Sequence, residues 1–280
     1  MWLTVLRLEI YKIFARPRSY IAFGAIGVIA AIIHFAMYSD GRNYIEMFTQ
    51  TLEQSFVIEG NILNGNTICF IILQMLIVHV PLLISLVTGD LMSGESDSGT
   101  LRLMMLKPVS RLSILTAKFT AGQIYILAVL LFFAFVSLIV GRLIFGVGDL
   151  IVLKTEEITV LQAGDITWRF IAALGVAFVA LSMVAAISFA LSCFANNSIA
   201  PIIITMAFII LSTIIAALDL PSLKFMHPYL FTTHMASWRL LFDSPVPMPD
   251  LYNSLAILLF YILLSFSIGA AHFLKKDILV

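Results

Sequence analysis

The chain has 280 residues, of which 61% are apolar and only 11% charged, and its formal net charge is zero. Soluble domains carry roughly 25% charged residues, whereas hydrocarbon cannot solvate an unpaired polar group and segments that cross it shed them. The composition therefore excludes a soluble globular protein, and the absence of a basic tail or stripe excludes a nucleic-acid-binding one.

Met1–Arg18 mixes Arg7, Glu9, Lys12, Arg16 and Arg18 among apolar residues and lacks the clean apolar region and small-residue cleavage site of a signal peptide. Leu3, Leu6, Ile10, Ile13 and Phe14 recur at helical spacing, which predicts an amphipathic helix over 1–18 lying along the inner membrane interface. Pro17 then turns the chain into the bilayer.

Six stretches reach the roughly 20 apolar residues that a helix needs to cross a membrane: 19–38, 67–88, 119–145, 168–194, 199–218 and 251–274. The fold class expected is an all-α integral membrane protein with six transmembrane helices forming one domain over 19–280. Cys69 and Cys193 fall near opposite ends of different spans, so neither a disulfide nor a metal site is expected of them.

Basic residues set the orientation. Arg7, Lys12, Arg16 and Arg18, then Arg102, Lys107, Arg111 and Lys118, then Lys275 and Lys276, fall on one side of a six-span chain. The alternate connections, 39–66 and 146–167, carry only Arg42 and Lys154 as basic residues, against four acidic ones each. Both termini are therefore expected in the cytoplasm. Ala195–Ser198 is a tight turn built on Asn196 and Asn197.

The connection 219–250 is apolar yet interrupted by Pro221, Pro228, Pro245, Pro247 and Pro249. It suits one or two short re-entrant helices dipping into the outer leaflet, or a loop packed on the helix ends; such backbone is tolerated at that depth where protein or a water-filled cavity surrounds it.

The cytoplasmic segment 89–118 is the most informative. Gly89, Gly94 and Gly99 interrupt the helix leaving the second span, and Asp90, Glu95 and Asp97 precede Thr100-Leu101-Arg102. Acidic residues complement a helix N-terminus, and Ser98 or Asp97 is the expected cap of a short helix starting near Thr100. Leu101, Met104 and Met105 give it an apolar face, Pro108 ends it, and Arg111 and Lys118 are expected to anchor the next span at the anionic inner surface.

The run GESDSGTLRLMMLKPVSRLSILTAKF resembles the cytoplasmic signature of ABC-2 type permeases. It shows Glu95 and Asp97, then Gly99-Thr100-Leu101, then Pro108, Ser110, Arg111 and Lys118, in the order that family uses. The resemblance implies a permease pair, as a homodimer or with a similar chain, above two cytoplasmic ATPase subunits in a bacterial inner membrane. It implies that Ser93, Glu95, Asp97, Gly99, Thr100, Leu101 and Arg102 form a coupling helix docked on the ATPase. It also implies that Arg7, Glu9, Lys12 and Arg16 belong to an interface helix beside it, and that 219–250 closes the pathway on the outside.

No G-x-x-x-x-G-K-[ST] loop occurs in the chain, so ATP and Mg are expected only in the partner. No H-E-x-x-H occurs, and G-x-S-x-G fails because Ser98 stands where glycine is required. No catalytic residue is assigned. His79 is read as inside the second span, either lining a pathway or serving packing and hydrogen bonding; Gln74 does not share its face. Arg142, Trp168-Arg169 and Trp238-Arg239 read as interfacial anchors, with Trp238 and Arg239 also candidates for a lid. Small residues from Gly175 to Ser188 suit the fourth span to close packing.

The spans carry no mid-membrane charge pairs, which argues against an ion-coupled carrier. A secondary transporter or channel, and a force-transmitting scaffold, are the rival readings. The cargo, whether a lipid, a hydrophobic drug or peptide, an ion or a sulfur species, is not readable.

Overall fold

Small side chains decide which helix lies at the centre. In the computed structural model, which describes residues 1–53, 62–76, 79–153, 158–218 and 224–276, the fourth span is α9 in chain order. Ala180, Ser182, Ala185, Ala186 and Ser188 are buried there, and 56% of its most apolar window is inside the protein, against 22–39% for the other unbroken spans. Gly175 lies apart from this packing, with open space beside it.

The elements run α1 (Trp2–Ala15), α2 (Ser19–Glu53), α3 (Gly65–Leu76), α4 (His79–Thr88), α5 (Ser93–Asp97), α6 (Thr100–Met105), α7 (Arg111–Ala134), a π-helical turn (Phe135–Ile139) and α8 (Val140–Phe145). A hairpin of β1 (Leu150–Leu153) and β2 (Ile158–Leu161) follows, then α9 (Ala163–Phe194) and α10 (Ile199–Ala217). Two 3-10 turns, Lys224–Tyr229 and Ala236–Phe242, flank α11 (Phe231–Met235), and α12 (Met248–Lys275) closes the chain.

Among the described residues five helical stretches are long and apolar enough to cross a membrane, or up to six if the bent pair α3–α4 counts as one span. The chain is thus a mostly helical, multi-pass membrane protein. Helix α12 lies along α9 so closely that a Cβ on Gly269 would meet the Ala190 Cα at 2.9 Å. Phe119, Phe189 and Phe266 join α7, α9 and α12, with ring centroids 4.9–6.4 Å apart.

Several boundaries differ from the sequence reading. Helix α2 continues past Tyr38 to Glu53, because no Gly or Pro intervenes between Gly41 and that point. The second span is not one rod: α3 and α4 are bent by 57°. Pro81 sits in the first turn of α4, where its missing N–H removes no helix bond. The third span begins at Arg111, eight residues earlier than Phe119, because the Ser110 side chain accepts a hydrogen bond from the Ser113 N–H. Arg111–Phe145 is 35 residues, about 50 Å at roughly 1.5 Å per residue, longer than an about 30 Å hydrocarbon core.

The fold is also not wholly helical. Antiparallel β1 and β2 pair Leu150 with Leu161 and Val152 with Thr159, and bury all four residues while Val160 faces out. Residues 54–61, 154–157, 219–223 and 277–280, parts of the connections and tail read above, lie outside the described residues, as do 77–78 in the second span.

Candidate functional site

Helix α1 carries Glu9 and Lys12 on the face turned toward the protein. Leu6, Glu9 and Ile13 form its buried stripe against α7, while Arg7, Leu8 and Tyr11 are exposed. A buried carboxylate needs a cation, and Glu9 has two: Lys12 Nζ at 2.8 Å and Lys118 Nζ at 2.7 Å. The same two ammonium groups reach Glu95 Oε1, at 2.6 Å and 2.8 Å.

Glu9, Lys12, Glu95 and Lys118 thus close a ring of alternating charge that joins α1, α5 and α7. Glu9, Glu95 and Lys118 are 1–3% exposed. Burial alone lowers the Lys12 pKa, but the hydrogen bonds and charges of Glu9 and Glu95 outweigh it and raise it above the ordinary lysine value. Lys118 is therefore not the surface anchor expected from sequence. It sits two turns inside α7, and its partners are carboxylates rather than lipid headgroups.

A second ionic joint lies beside the ring. Buried Asp90 accepts from the guanidinium groups of Arg16 and Arg18, which pins the α1–α2 junction to the end of the second span. Gly94 makes room for it, since a Cβ there would fall within 2.5 Å of the Asp90 carboxyl carbon. Gly94→Ala is expected to turn Asp90 away from both arginines and cost about 1–3 kcal/mol. Thermal unfolding, together with faster proteolysis between Ala15 and Ser19, would register it.

Helix α5 is fixed from α9 as well. Its N-terminal N–H groups have no helical partner, and Ser192 Oγ accepts from Met92 N at 3.1 Å and Ser93 N at 2.8 Å. Ser198 Oγ, in the turn between α9 and α10, donates to Asp97 at 3.1 Å. Gly89, where α4 ends, is pressed on α9 and α10: a Cβ would meet Ser188 Oγ at 2.8 Å and Ile202 Cγ1 at 2.9 Å.

The residues grouped as a coupling helix therefore separate into two sets. Ser93, Glu95 and Leu101 are buried and hold the segment to the spans, while Asp97, Gly99, Thr100 and Arg102 are exposed. The expected cap is also corrected. The residue preceding α6 is Gly99, in the left-handed conformation at φ 69°, with no side-chain cap; Ser98 bonds back to Gly94 O and across to Thr100 Oγ1 instead. Of the interface-helix residues, Arg7 is exposed, Glu9 and Lys12 enter the ring, and Arg16 holds Asp90.

The C-terminal end of α12 joins the same end of the molecule. Arg111 donates to Leu274 O and Lys276 O at 3.1 and 2.9 Å, and Lys276 donates to Asn196 Oδ1 at 2.8 Å. The three basic regions that set the orientation are thus in contact with one another or with shared partners.

At the opposite end Arg142 is a connector rather than a free anchor, donating to Asn66 Oδ1 and Thr167 Oγ1, each at 2.9 Å. Arg169 is buried; it donates to Leu241 O at 2.6 Å, Asp243 O at 2.8 Å and Asp165 at 2.7 Å, and so secures the second 3-10 turn. Trp238 is a core residue, 1% exposed, packed with Phe70 and Phe242; Arg239 is exposed with its guanidinium over the Trp238 ring. His79 lies exposed at the break between α3 and α4, donating through Nδ1 to Met75 O at 2.9 Å, and not deep in a continuous span.

The sequence alone gives no partner for Arg18, Ser192, Asn64 or Asn66. The acidic cluster of 89–118 facing a basic N-terminal segment was a readable signal for the ionic joints. A serine at the end of an apolar span gave none.

Helical spans tied at one end into a buried ionic joint define a polytopic membrane protein with a built internal contact between its N-terminal helix and the connection that carries α5. The chain belongs to the DUF2705 family, described as a protein of unknown function, whose model matches residues 27–279. No curated protein matches it.

Proposed function

We propose that this chain is the membrane-spanning permease subunit of a bacterial ABC exporter, moving substrate at the expense of ATP hydrolysed by a separate cytoplasmic ATPase pair. One observation carries the reading most directly: α5 is rigidly bonded to α1, α7 and α9 by its buried side, while Asp97, Gly99, Thr100 and Arg102 face outward. A push on that exposed edge reaches three long helices without a flexible link, which is what rigid-body coupling requires. The ABC-2 signature in the same residues supports it.

In this reading the bent pair α3–α4 is one of six spans, both termini are cytoplasmic, and the chain pairs with a second permease copy in the inner membrane. The connection around Trp238 and Arg239 is the outer lid. ATP and Mg belong to the partner ATPase, and this chain supplies the dock.

The test is co-purification of the ATPase from native membranes. Asp97→Lys combined with Arg102→Glu, both exposed, is expected to reduce recovered ATPase about tenfold, the scale of roughly 1.4 kcal/mol of lost contact. Thermal stability should fall by no more than the one exposed bond lost between Ser198 and Asp97, about 0.5–1.5 kcal/mol. Undiminished ATPase recovery, or full activity of the purified chain with no ATPase bound, removes the proposal.

A further inference from the structure

Helix α9 carries both α10 and α12, and α11 joins those two toward the end remote from the ionic ring. On the α10 side Phe231 stacks on Phe208, with ring centroids 5.3 Å apart, and Thr232 shares a hydrogen bond with Ser212 at 2.9 Å. On the α12 side His234 Nε2 donates to Pro228 O at 2.9 Å, and its Nδ1 bonds Ser254 Oγ at 3.1 Å. Tyr261 Oη donates to Tyr229 O at 2.8 Å. Beneath this bonded bridge lies one groove of about 610 Å³, within the about 300–1,000 Å³ of small-molecule sites. Met183 and Ile187 of α9 form its floor, Phe208 and Leu211 of α10 one wall, and Tyr261 and Ser265 of α12 the other.

Among the described residues no charged side chain lines the groove, so the part of an occupant that lies in it is uncharged. Phe208 and Leu211 are exposed, and the groove opens sideways between two spans, toward hydrocarbon. Ser265 brings an unused hydroxyl to it. Ser137, Ser182, Thr205 and Thr213 each donate to the carbonyl one turn back, the usual resort of a hydroxyl inside a helix. Ser265 Oγ makes no such bond, nor any other among the described residues. It stands ten residues before Lys275, where α12 ends, or about 15 Å at roughly 1.5 Å per residue. That is half of an about 30 Å hydrocarbon core, a depth the ester oxygens of a phospholipid do not reach from the headgroup region. A spanning helix from a second copy does not suit the groove either, since Met226, Tyr229 and Leu230 close one end of it.

We propose that this groove binds a neutral, largely hydrocarbon molecule that lies wholly within the bilayer, with a hydroxyl or carbonyl oxygen on Ser265 and its chain against Ile187, Phe208 and Leu211. The site stands apart from the ATPase dock. Its binding is measured with no ATPase present, so failure of this proposal leaves the coupling reading intact, and the reverse holds as well.

The experiment photolabels the full chain in phosphatidylcholine nanodiscs with dodecanol that carries a mid-chain diazirine, and reads the labelled peptides by mass spectrometry. Saturable labelling is expected on the peptides that hold Met183 and Ile187, Phe208 and Leu211, and Tyr261 and Ser265. Unlabelled dodecanol should compete. Dodecane, which has no oxygen, and dodecyl phosphocholine, whose head stays at the surface, should each compete about tenfold more weakly. Leu211→Trp fills the groove from an exposed position and is expected to weaken labelling about tenfold. Ser265→Ala should weaken dodecanol about fivefold, the scale of one hydrogen bond, and leave dodecane unchanged. Non-saturating labelling no stronger than that of the exposed Ile32 and Phe35 on α2 means surrounding hydrocarbon only and overturns the site. Labelling that ignores Leu211→Trp overturns it as well, and so does an affinity that ignores Ser265→Ala with dodecane as strong a competitor as dodecanol. Disulfide crosslinking of two chains through Leu211→Cys, with labelling absent, assigns the groove to a second copy and removes the ligand. If Leu211→Trp fails to fold, the competition between dodecanol and dodecyl phosphocholine in the parent protein decides the matter by itself.

Discussion

Lys118→Met is expected to destabilise the protein by about 3–5 kcal/mol, the cost of removing one partner from a buried ion pair. Methionine fills nearly the same volume, so the loss comes from charge and not from a cavity. Glu9 and Glu95, 2% and 3% exposed, would be left to share Lys12 alone. Two buried carboxylates on one ammonium leave a net negative charge in a site walled by apolar helices. Helix α1 is the element that can move away, since it is held to α7 by this ring and by a short buried stripe. The variant should therefore show a lower thermal midpoint and cleavage near the α1–α2 junction by added protease. Adding Glu9→Gln restores one carboxylate to one ammonium, and the double variant is expected to regain at least half of the lost stability. Non-additivity of that kind is the signature of a shared network. A Lys118→Met protein as stable as the parent, with α1 equally protected, would show that the ring contributes nothing.

The spans were legible because solvent imposes them: an apolar run of the right length has few other uses. The grouping of the three basic regions at one end was legible too, because each flanks a span on the same side; their contacts were not. The partnership of charges was not. Lys118 reads as an anchor when only its neighbours in the chain are considered, whereas its partners are 109 and 23 positions away, and only packing α1 against α7 brings them together. Periodicity misled on α1 for the same reason. Its apolar residues suggest a lipid-facing helix, yet the stripe that enters the protein includes Glu9, since a paired charge is tolerated where an unpaired one is not.

The hairpin was present in the sequence as Leu-Ile-Val-Leu and Ile-Thr-Val-Leu, two β-branched runs spaced for a turn. Its charges, Asp149, Lys154, Glu156, Glu157 and Asp165, dominate the same stretch and mark it only as a connection. The break in the second span had a weaker signal. Pro81 is compatible with a helix start or a kink, and the polar residues around it, Gln74, His79 and Ser85, are too few and scattered to mark a break. In the candidate site, the exposed residues Asp97 and Arg102 were readable from the signature, whereas the role of Ser192 as the cap of α5 depends on two helices meeting 99 positions apart.

Gly65→Ala is the second substitution expected to have a large effect, and its cause is backbone against backbone. A Cβ on Gly65 would lie 2.5 Å from the Arg142 Cα, 2.6 Å from its N and 2.7 Å from the Gly141 carbonyl carbon. None of these atoms is the end of a flexible side chain, so α3 and α8 must separate. Gly65 N also donates to Gly146 O at 2.9 Å, and Asn66 bonds Arg142 Nε at 2.9 Å and Gly148 O at 2.7 Å. Asn64 in turn caps α3 and reaches Asp149 O at 2.8 Å. Moving the two helices apart strains each of these bonds, so the cost should reach or exceed the upper end of the about 1–3 kcal/mol that overpacking brings. Gly24→Ala supplies the comparison within the same membrane environment. No atom lies within 4 Å of a Cβ placed there, and replacing a mid-helix glycine removes a backbone-entropy cost of roughly 0.5–1 kcal/mol. The thermal midpoint should therefore fall for Gly65→Ala and hold or rise for Gly24→Ala. Equal shifts in the two variants would mean that α3 and α8 do not approach as closely as the structure places them, and the polar contacts built around Arg142 would lose their support.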